Sequence, residues 1–87
     1  ENIKKMSFSV NIGSNAQDFL DKLPKDISLR IINKLESIKE NPIRFLQHYE
    51  GDFYNLRIGD YRILMDIDFE RKIIWVRIID KRGRVYK

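Results

Sequence analysis

The sequence has 87 residues, of which 43% are hydrophobic and 34% are charged, and its formal net charge is +4. This length suits a single domain over residues 1–87, because independent cores usually need about 50 to 200 residues. The absence of cysteine excludes a disulfide framework and thiolate metal sites. No apolar run approaches the roughly 18 to 20 residues that a membrane span needs. We therefore expect a cytoplasmic protein without a membrane partner.

The positive charge is concentrated towards the C-terminal end. Residues 1–50 carry eight Lys or Arg against seven Asp or Glu, whereas residues 51–87 carry nine against six. In the last eleven residues five cations stand against one acid, Asp80. A basic segment on a nearly neutral body indicates either a localised anion-binding site or a solvated tail that only aids solubility. Charge alone leaves both interpretations open.

The N-terminal half predicts one strand followed by two helices. Residues 7–12 alternate between polar and apolar types, which is typical of a half-buried strand. Ser14 and Gln17 match a capping box, so a first helix is expected from Ser14 to about Leu23. Pro24 ends that helix and suits the first turn of a second one, which should stop at an Asn-Pro pair. The second helix has an apolar stripe that requires a sheet to cover: Ile27, Ile31, Ile32, Leu35 and Ile38.

The C-terminal half predicts three strands, over residues 53–58, 61–68 and 73–80, after an irregular segment at 43–52. The element order is therefore β-α-α-β-β-β. It predicts an α+β fold in which a helical hairpin packs on one face of a small, mostly antiparallel, four-stranded sheet. Trp75, in the last strand, is expected in the core, although an aromatic ring near arginines can also stack on a base.

Two arginines are predicted to face each other across the second and third strands. If the Gly-Asp pair between these strands forms a two-residue hairpin loop, Arg57 lies directly opposite Arg62. Like charges in such positions destabilise a sheet by about 0.2 to 1 kcal/mol, so a negative group should compensate them. That group is either a carboxylate of the protein, with Asp66 and Glu50 as the candidates, or an external phosphate gripped by both guanidiniums.

The residues after the last strand are a second candidate for a catalytic site. Basic side chains just beyond a buried strand are held by a rigid element, as an active site requires. Tyr86 lies among these cations, which would stabilise its phenolate and suit a general base or acid. The alternative is a tyrosine that only packs its ring.

Other kinds of catalytic or metal-binding site have little support in the sequence. His48 is the only histidine. Asp66 and Asp68 share one strand face but lack a third ligand for a metal ion. The chain has no phosphate-binding Walker loop, no GxSxG and no HExxH. We therefore expect neither a metal nor a cofactor.

Two motifs together resemble a known family. The pattern Y-x-L-R-I-G-D-Y-R-I-L at residues 54–64, joined to K-R-x-x-x-Y at residues 81–86, resembles the RelE/ParE superfamily of toxins from type II toxin–antitoxin systems, and most of all its archaeal RelE branch. The resemblance covers nearly the whole chain. It implies a ribosome-dependent endoribonuclease, or mRNA interferase, that cuts messenger RNA by attack of the 2′-hydroxyl on the adjacent phosphate. It also implies a cognate RelB-like antitoxin and the ribosome as partners.

The resemblance assigns a role to each candidate residue. Arg62 matches the strand arginine that grips the scissile phosphate, and Arg82 matches the arginine that stabilises charge in the transition state. Tyr86 matches a C-terminal tyrosine that acts as a base or stacks on the RNA, which completes the catalytic set. Arg57 matches a basic residue of the preceding strand. The remaining cations implied in binding phosphate are Lys81, Arg84 and Lys87.

Departures from the family pattern keep other functions open. Asn55 stands where some bacterial relatives carry a lysine, and Lys81 replaces a histidine found in several branches. Loss of that histidine removes a conventional acid–base group, whose role Lys81 could take. One alternative is a ParE-like toxin that inhibits DNA gyrase. Another is a non-catalytic relative that only binds an antitoxin.

Overall fold

The structure is a computed structural model that describes residues 7–48, 51 and 53–81. The predicted α+β class is confirmed. The helices and strands of the described residues are β1 (Ser9–Ile12), α1 (Ser14–Asp21), α2 (Lys25–Ser37), α3 (Pro42–Phe45), β2 (Gln47–His48), β3 (Phe53–Ile58), β4 (Tyr61–Asp68) and β5 (Ile73–Lys81). None of the helices in these ranges has the length and apolar character needed to cross a membrane.

The strands form one sheet in the order β1-β5-β4-β3-β2. β1 pairs with β5 in parallel, and the other neighbours are antiparallel, as predicted. The prediction of four strands is wrong, because the described residues form a five-stranded sheet. The additional strand, β2, pairs Gln47 with Asn55 and His48 with Tyr54. A strand of two residues shows no alternation of polar and apolar types, so its sequence carries no periodic signal.

The hydrophobic core lies between the helices and one face of the sheet. The predicted stripe contributes Ile31 and Leu35 of α2 and Ile38, which directly follows the helix, whereas Ile32 is 37% exposed. Burying each large aliphatic side chain stabilises the fold by about 1.5 to 3 kcal/mol. The core residues supplied by the sheet are Leu56, Ile58, Ile63, Met65, Ile74, Val76 and Ile79. The face of the sheet that α1 and α2 do not cover is called the outer face.

The start of α1 differs from the predicted capping box. Gly13 is the residue that precedes the helix, and no side chain caps it. Gln17 donates its side-chain amide to the carboxylate of Asp21 at 2.9 Å, one turn further along the helix. The backbone N–H of Gly13 donates to the carbonyl of Val76 at 2.8 Å, and a Cβ at Gly13 would lie 3.2 Å from that oxygen. The close approach to β5 therefore fixes where the helix begins.

A bulge in β5 reverses the alternation of its side chains. Leu64 of β4 pairs with Ile78 and the next residue, Met65, pairs with Val76, so Arg77 is an extra residue in β5. Such a residue shifts the following side chains to the opposite face. The prediction that Trp75 lies in the core is wrong. Trp75 is half-buried on the outer face, between the buried residues on either side of it.

Candidate nucleic-acid interface

The outer face presents three cross-strand rows of side chains that differ in charge. The first row, nearest the β3–β4 turn, contains Arg57, Arg62 and Asp80. The second row contains Asn55, Leu64 and Ile78. The third row contains Phe53, Asp66 and Trp75. The face therefore changes from basic through apolar to acidic and aromatic along the strands.

The predicted pairing of the two arginines is confirmed in the first row. Arg57 of β3 is in register with Arg62 of β4, and the two-residue turn between the strands begins at Gly59. Gly59 has a φ of +55°, a conformation that glycine adopts without the steric cost of a side chain. Arg57 is exposed and Arg62 is half-buried. A tight turn thus holds two guanidinium-bearing residues at the same end of the sheet.

Within the described residues, the carboxylate in register with this pair is Asp80, and the predicted candidate Asp66 lies elsewhere. Asp66 lies two rows away, where its Oδ2 accepts a hydrogen bond from Nε of Arg77 at 2.8 Å. Glu50 lies outside the described residues. Asp80 is in register with Arg62, and its Oδ1 also accepts the backbone N–H of Lys81 at 2.9 Å. Sequence reasoning missed Asp80, because only the bulge at Arg77 brings it to the outer face.

Lys81 lies apart from the two arginines. It pairs with Tyr61, whose ring packs against Phe19 of α1 at 6.3 Å between centroids. Together with Leu23, these side chains line a cavity of about 410 Å³ on the helical side of the sheet. Lys81 and Arg62 are therefore on opposite faces. The structure brings Arg57 and Arg62 together but not Lys81.

Four of the predicted site residues lie outside the described residues. They are Arg82, Arg84, Tyr86 and Lys87. Their roles stay predictions. Lys81, the last described residue, ends β5 next to the first residue of β4.

The opposite end of the outer face is acidic and aromatic. The guanidinium carbon of Arg77 lies 5.0 Å from the centroid of the Trp75 ring, and its Nε binds Asp66. A cavity of about 770 Å³ adjoins this group and is also lined by Asp68 and Glu70. Across the described ranges, no three His, Cys, Asp or Glu side chains are grouped so that they could hold a metal ion.

Comparison with protein families identifies the chain. The family described as the ParE toxin of type II toxin–antitoxin systems, parDE, matches residues 10–86. The chain belongs to this family. It is thus a toxin of the RelE/ParE superfamily, as the motifs predicted. Among curated proteins, none matches the sequence.

Solved structures show the same fold. A chain of the RelBE2 toxin–antitoxin complex from Mycobacterium tuberculosis is 25% identical, with a TM-score of 0.78 over 87% of this chain and 99% of that chain. A chain of the archaeal RelE–RelB complex from Pyrococcus horikoshii is 26% identical, with a TM-score of 0.75 over 90% and 98%. The isolated RelE toxin of E. coli has a TM-score of 0.74 at 20% identity, over 92% of both chains. The predicted RelE-like fold is confirmed.

Proposed function

We propose that this ParE-family toxin is an endoribonuclease that cleaves messenger RNA on the ribosome and so inhibits translation in the cytoplasm. The observation that supports the proposal is the facing pair Arg57 and Arg62 in the first row of the outer face. Planar guanidiniums bind phosphate through two parallel hydrogen bonds. A sheet that keeps two of them adjacent, despite their repulsion, suits a phosphodiester ligand better than a purely structural role.

The proposed reaction needs charge stabilisation and alignment more than a strong acid or base. The 2′-oxygen forms a bond to phosphorus, the bond from phosphorus to the 5′-oxygen breaks, and a proton passes from the 2′-hydroxyl to the leaving oxygen. The products are a cyclic phosphate and a free 5′-hydroxyl. Negative charge grows on the phosphate oxygens in the transition state, where preorganised cations stabilise it. The ribosome would position the nucleophile in line with the leaving group.

Arg62 has the central role in this proposal, as the side chain that grips the scissile phosphate. Arg82 is proposed to stabilise the developing charge, and Tyr86 to act as a base or to stack on the RNA. The end of β5 supports these assignments, because its last described residue pairs with Tyr61, the neighbour of Arg62 in β4. Lys81 is a weaker candidate for acid–base catalysis, since it lies on the helical side of the sheet.

An antitoxin is the proposed protein partner. The solved relatives from M. tuberculosis, P. horikoshii and E. coli include toxin–antitoxin complexes, and a RelB-like chain is therefore the expected inhibitor here. Exposed apolar side chains offer it contact area, including Leu29 on α2, which is 48% exposed, and Ile78 on the outer face, which is 45% exposed. An amphipathic segment that folds as it binds would bury these apolar side chains.

Inhibition of DNA gyrase is the second candidate function. The observation in its favour is that the matching family is that of ParE toxins. A third possibility, a relative that only binds an antitoxin, shares the fold but has no activity of its own.

The test compares cleavage of one messenger by the purified protein with programmed ribosomes and without them. We expect cuts that depend on the ribosome and that disappear in Arg62→Ala. A folded protein that cuts neither sample would contradict the proposal, and inhibition of supercoiling by gyrase would then support the second candidate.

A further inference from the structure

A group of cations lies beyond the proposed scissile site, where the edge of the sheet meets α2. β2 pairs only with Tyr54 and Asn55, so the described part of the sheet ends at the edge of β3 beside Arg57. Two cations of α2, Arg30 and Lys34, lie next to this edge. We call Arg30, Lys34 and Arg57 the edge cluster.

Two cavities connect the members of the edge cluster. Arg57 and Lys34 line both of them. The first, of about 360 Å³, continues to Phe45 and Asn55. The second, of about 490 Å³, continues to Arg30. The two cavities therefore adjoin at Arg57 and Lys34, along the edge of the sheet.

The edge cluster is also continuous with the proposed active site. A Cβ added at Gly59 would lie 3.4 Å from Nη1 of Arg30, so the Arg30 guanidinium reaches the β3–β4 turn. That turn joins the strands of Arg57 and Arg62, and four residues lie between the two arginines in the sequence. A chain of phosphates would thus pass from Arg62 across the turn, which also carries the exposed Asp60, to the cations of α2.

The charges of the edge cluster are not compensated within the described part of the chain. None of its three cations forms an ion pair with a described carboxylate, in contrast to Lys39, Arg71 and Arg77. Lys34 instead lies over the ring of Phe45, with 5.4 Å from Nζ to the centroid. Cations that converge without counter-ions indicate an external anion.

Two further features of the first cavity favour RNA. Phe45 is 42% exposed, and an exposed aromatic ring beside cations is the arrangement that stacks the bases of single strands. Asn55 Oδ1 is buried and has no hydrogen-bond partner among the described residues. An unsatisfied buried acceptor is unfavourable, and a hydroxyl donor from a ligand in this cavity would satisfy it.

We propose that the edge cluster is a second phosphate-binding subsite, which holds the RNA backbone on one side of the scissile phosphate and directs it from the outer face onto α2. The inference rests on the proposed function for the identity of its ligand. It adds a path for the RNA and names Arg30, Lys34 and Phe45 as positions that contact it.

The test measures how binding of a single-stranded oligouridine depends on salt. Each phosphate contact on a single strand contributes about 0.7 to the slope of log K against log salt, so Arg30→Ala with Lys34→Ala should lower the slope by about 1.4. The matched control, Lys25→Ala with Arg71→Ala, removes two exposed cations outside the cluster and should leave the slope unchanged. Fluorescence anisotropy from about 50 to 200 mM KCl gives both slopes.

The outcomes separate this inference from the proposed function. Equal losses in the two double variants, or no binding of the oligouridine by the unaltered protein, would overturn the edge cluster as an RNA site, even if ribosome-dependent cleavage is observed. A selective loss in Arg30→Ala with Lys34→Ala supports it, even if no cleavage is found. Loss of binding to an acidic antitoxin segment without any change in the RNA slope would instead assign the cluster to a protein partner and refute the proposal.

Discussion

The arginines at the two ends of the outer face have different neighbours. At the acidic end, Arg77 binds Asp66 at 2.8 Å and lies over the ring of Trp75, so its charge and its planar face both have partners within the protein. At the basic end, Arg57 faces Arg62 across the strands, and α2 adds the further cations of the edge cluster. The same sheet therefore carries one arginine that is held by a carboxylate and a ring, and one row in which two arginines stand beside a single carboxylate, Asp80.

Under the proposed function, Arg77 is a structural arginine, whereas Arg57 and Arg62 bind the RNA. The charge of a guanidinium that is held by a carboxylate and an aromatic ring is already compensated, so this guanidinium attracts a phosphate less strongly. Repulsion between facing cations is a cost to folding, which a bound polyanion would reverse. We therefore expect substitutions at the acidic end to alter stability and substitutions at the basic end to alter function.

The largest effect is expected when both proposed catalytic arginines are removed. Arg62→Ala with Arg82→Ala should lower ribosome-dependent cleavage by at least about 100-fold, the loss typical of one missing donor to transition-state charge. Single-turnover cleavage on programmed ribosomes measures it. Thermal unfolding should change little, because Arg62 lies outside the core.

Arg77→Ala is the control for this double variant, since it removes an arginine from the acidic end of the same face. Cleavage by Arg77→Ala should stay within about twofold of the unaltered protein, as a change far from the reacting charge should cost little. If Arg77→Ala lost as much activity as the double variant, the distinction between the two ends would be wrong. An unfolded double variant would show that its arginines are structural.

Much of the fold and half of the site geometry could be predicted from the sequence. The stripe of α2 and the bounds of β3 and β4 follow from regular periods of apolar residues, which reflect burial on one face. The register of Arg57 with Arg62 follows from a turn of only two residues, which leaves one way to pair the strands. These features depend on neighbours in the sequence.

The features that were missed depend on contacts between distant segments. β2 is too short to show a period, and its pairing with Asn55 is set by the fold around it. The bulge at Arg77 places Asp80 beside Arg62, yet the composition of β5 does not reveal the extra residue. Trp75 precedes the bulge and lies on the outer face because it alternates with the buried Ile74 and Val76. The edge cluster joins residues of α2 and β3 that are more than twenty positions apart.

The next largest effect is expected at two described glycines with positive φ, one at each end of the outer face. Gly59 has a φ of +55° in the turn of the basic end, and Gly51 has a φ of +57° beside the acidic cavity. Alanine in this conformation costs about 1 to 2 kcal/mol, so both variants should lose that much stability in urea titrations. Only Gly59→Ala should also weaken RNA binding, since strain in this turn would disturb the register of Arg57 with Arg62.

A smaller effect is expected for the ion pair of the acidic end. Its side chains are 29% exposed at Asp66 and 45% exposed at Arg77, so solvent screens their attraction. A double-mutant cycle with Asp66→Ala and Arg77→Ala should give a coupling energy of about 0.2 to 1 kcal/mol. Denaturation at low and high salt measures this value, which should fall as salt rises. A coupling energy near zero would mean that Arg77 is held mainly by Trp75.

The smallest effect is expected at Asp80, the one carboxylate in the row of the basic end. Asp80→Asn removes its negative charge but keeps an oxygen that can accept the N–H of Lys81. Because cross-strand charge pairs contribute about 0.2 to 1 kcal/mol, the stability lost should lie at the lower end of that range. RNA binding should tighten slightly, since a carboxylate no longer opposes the phosphate. Asp60→Asn, in the exposed turn, is the matched control for charge. A large loss of cleavage in Asp80→Asn alone would instead show that this carboxylate positions Arg62, and the basic end would then contain an acid that its function requires.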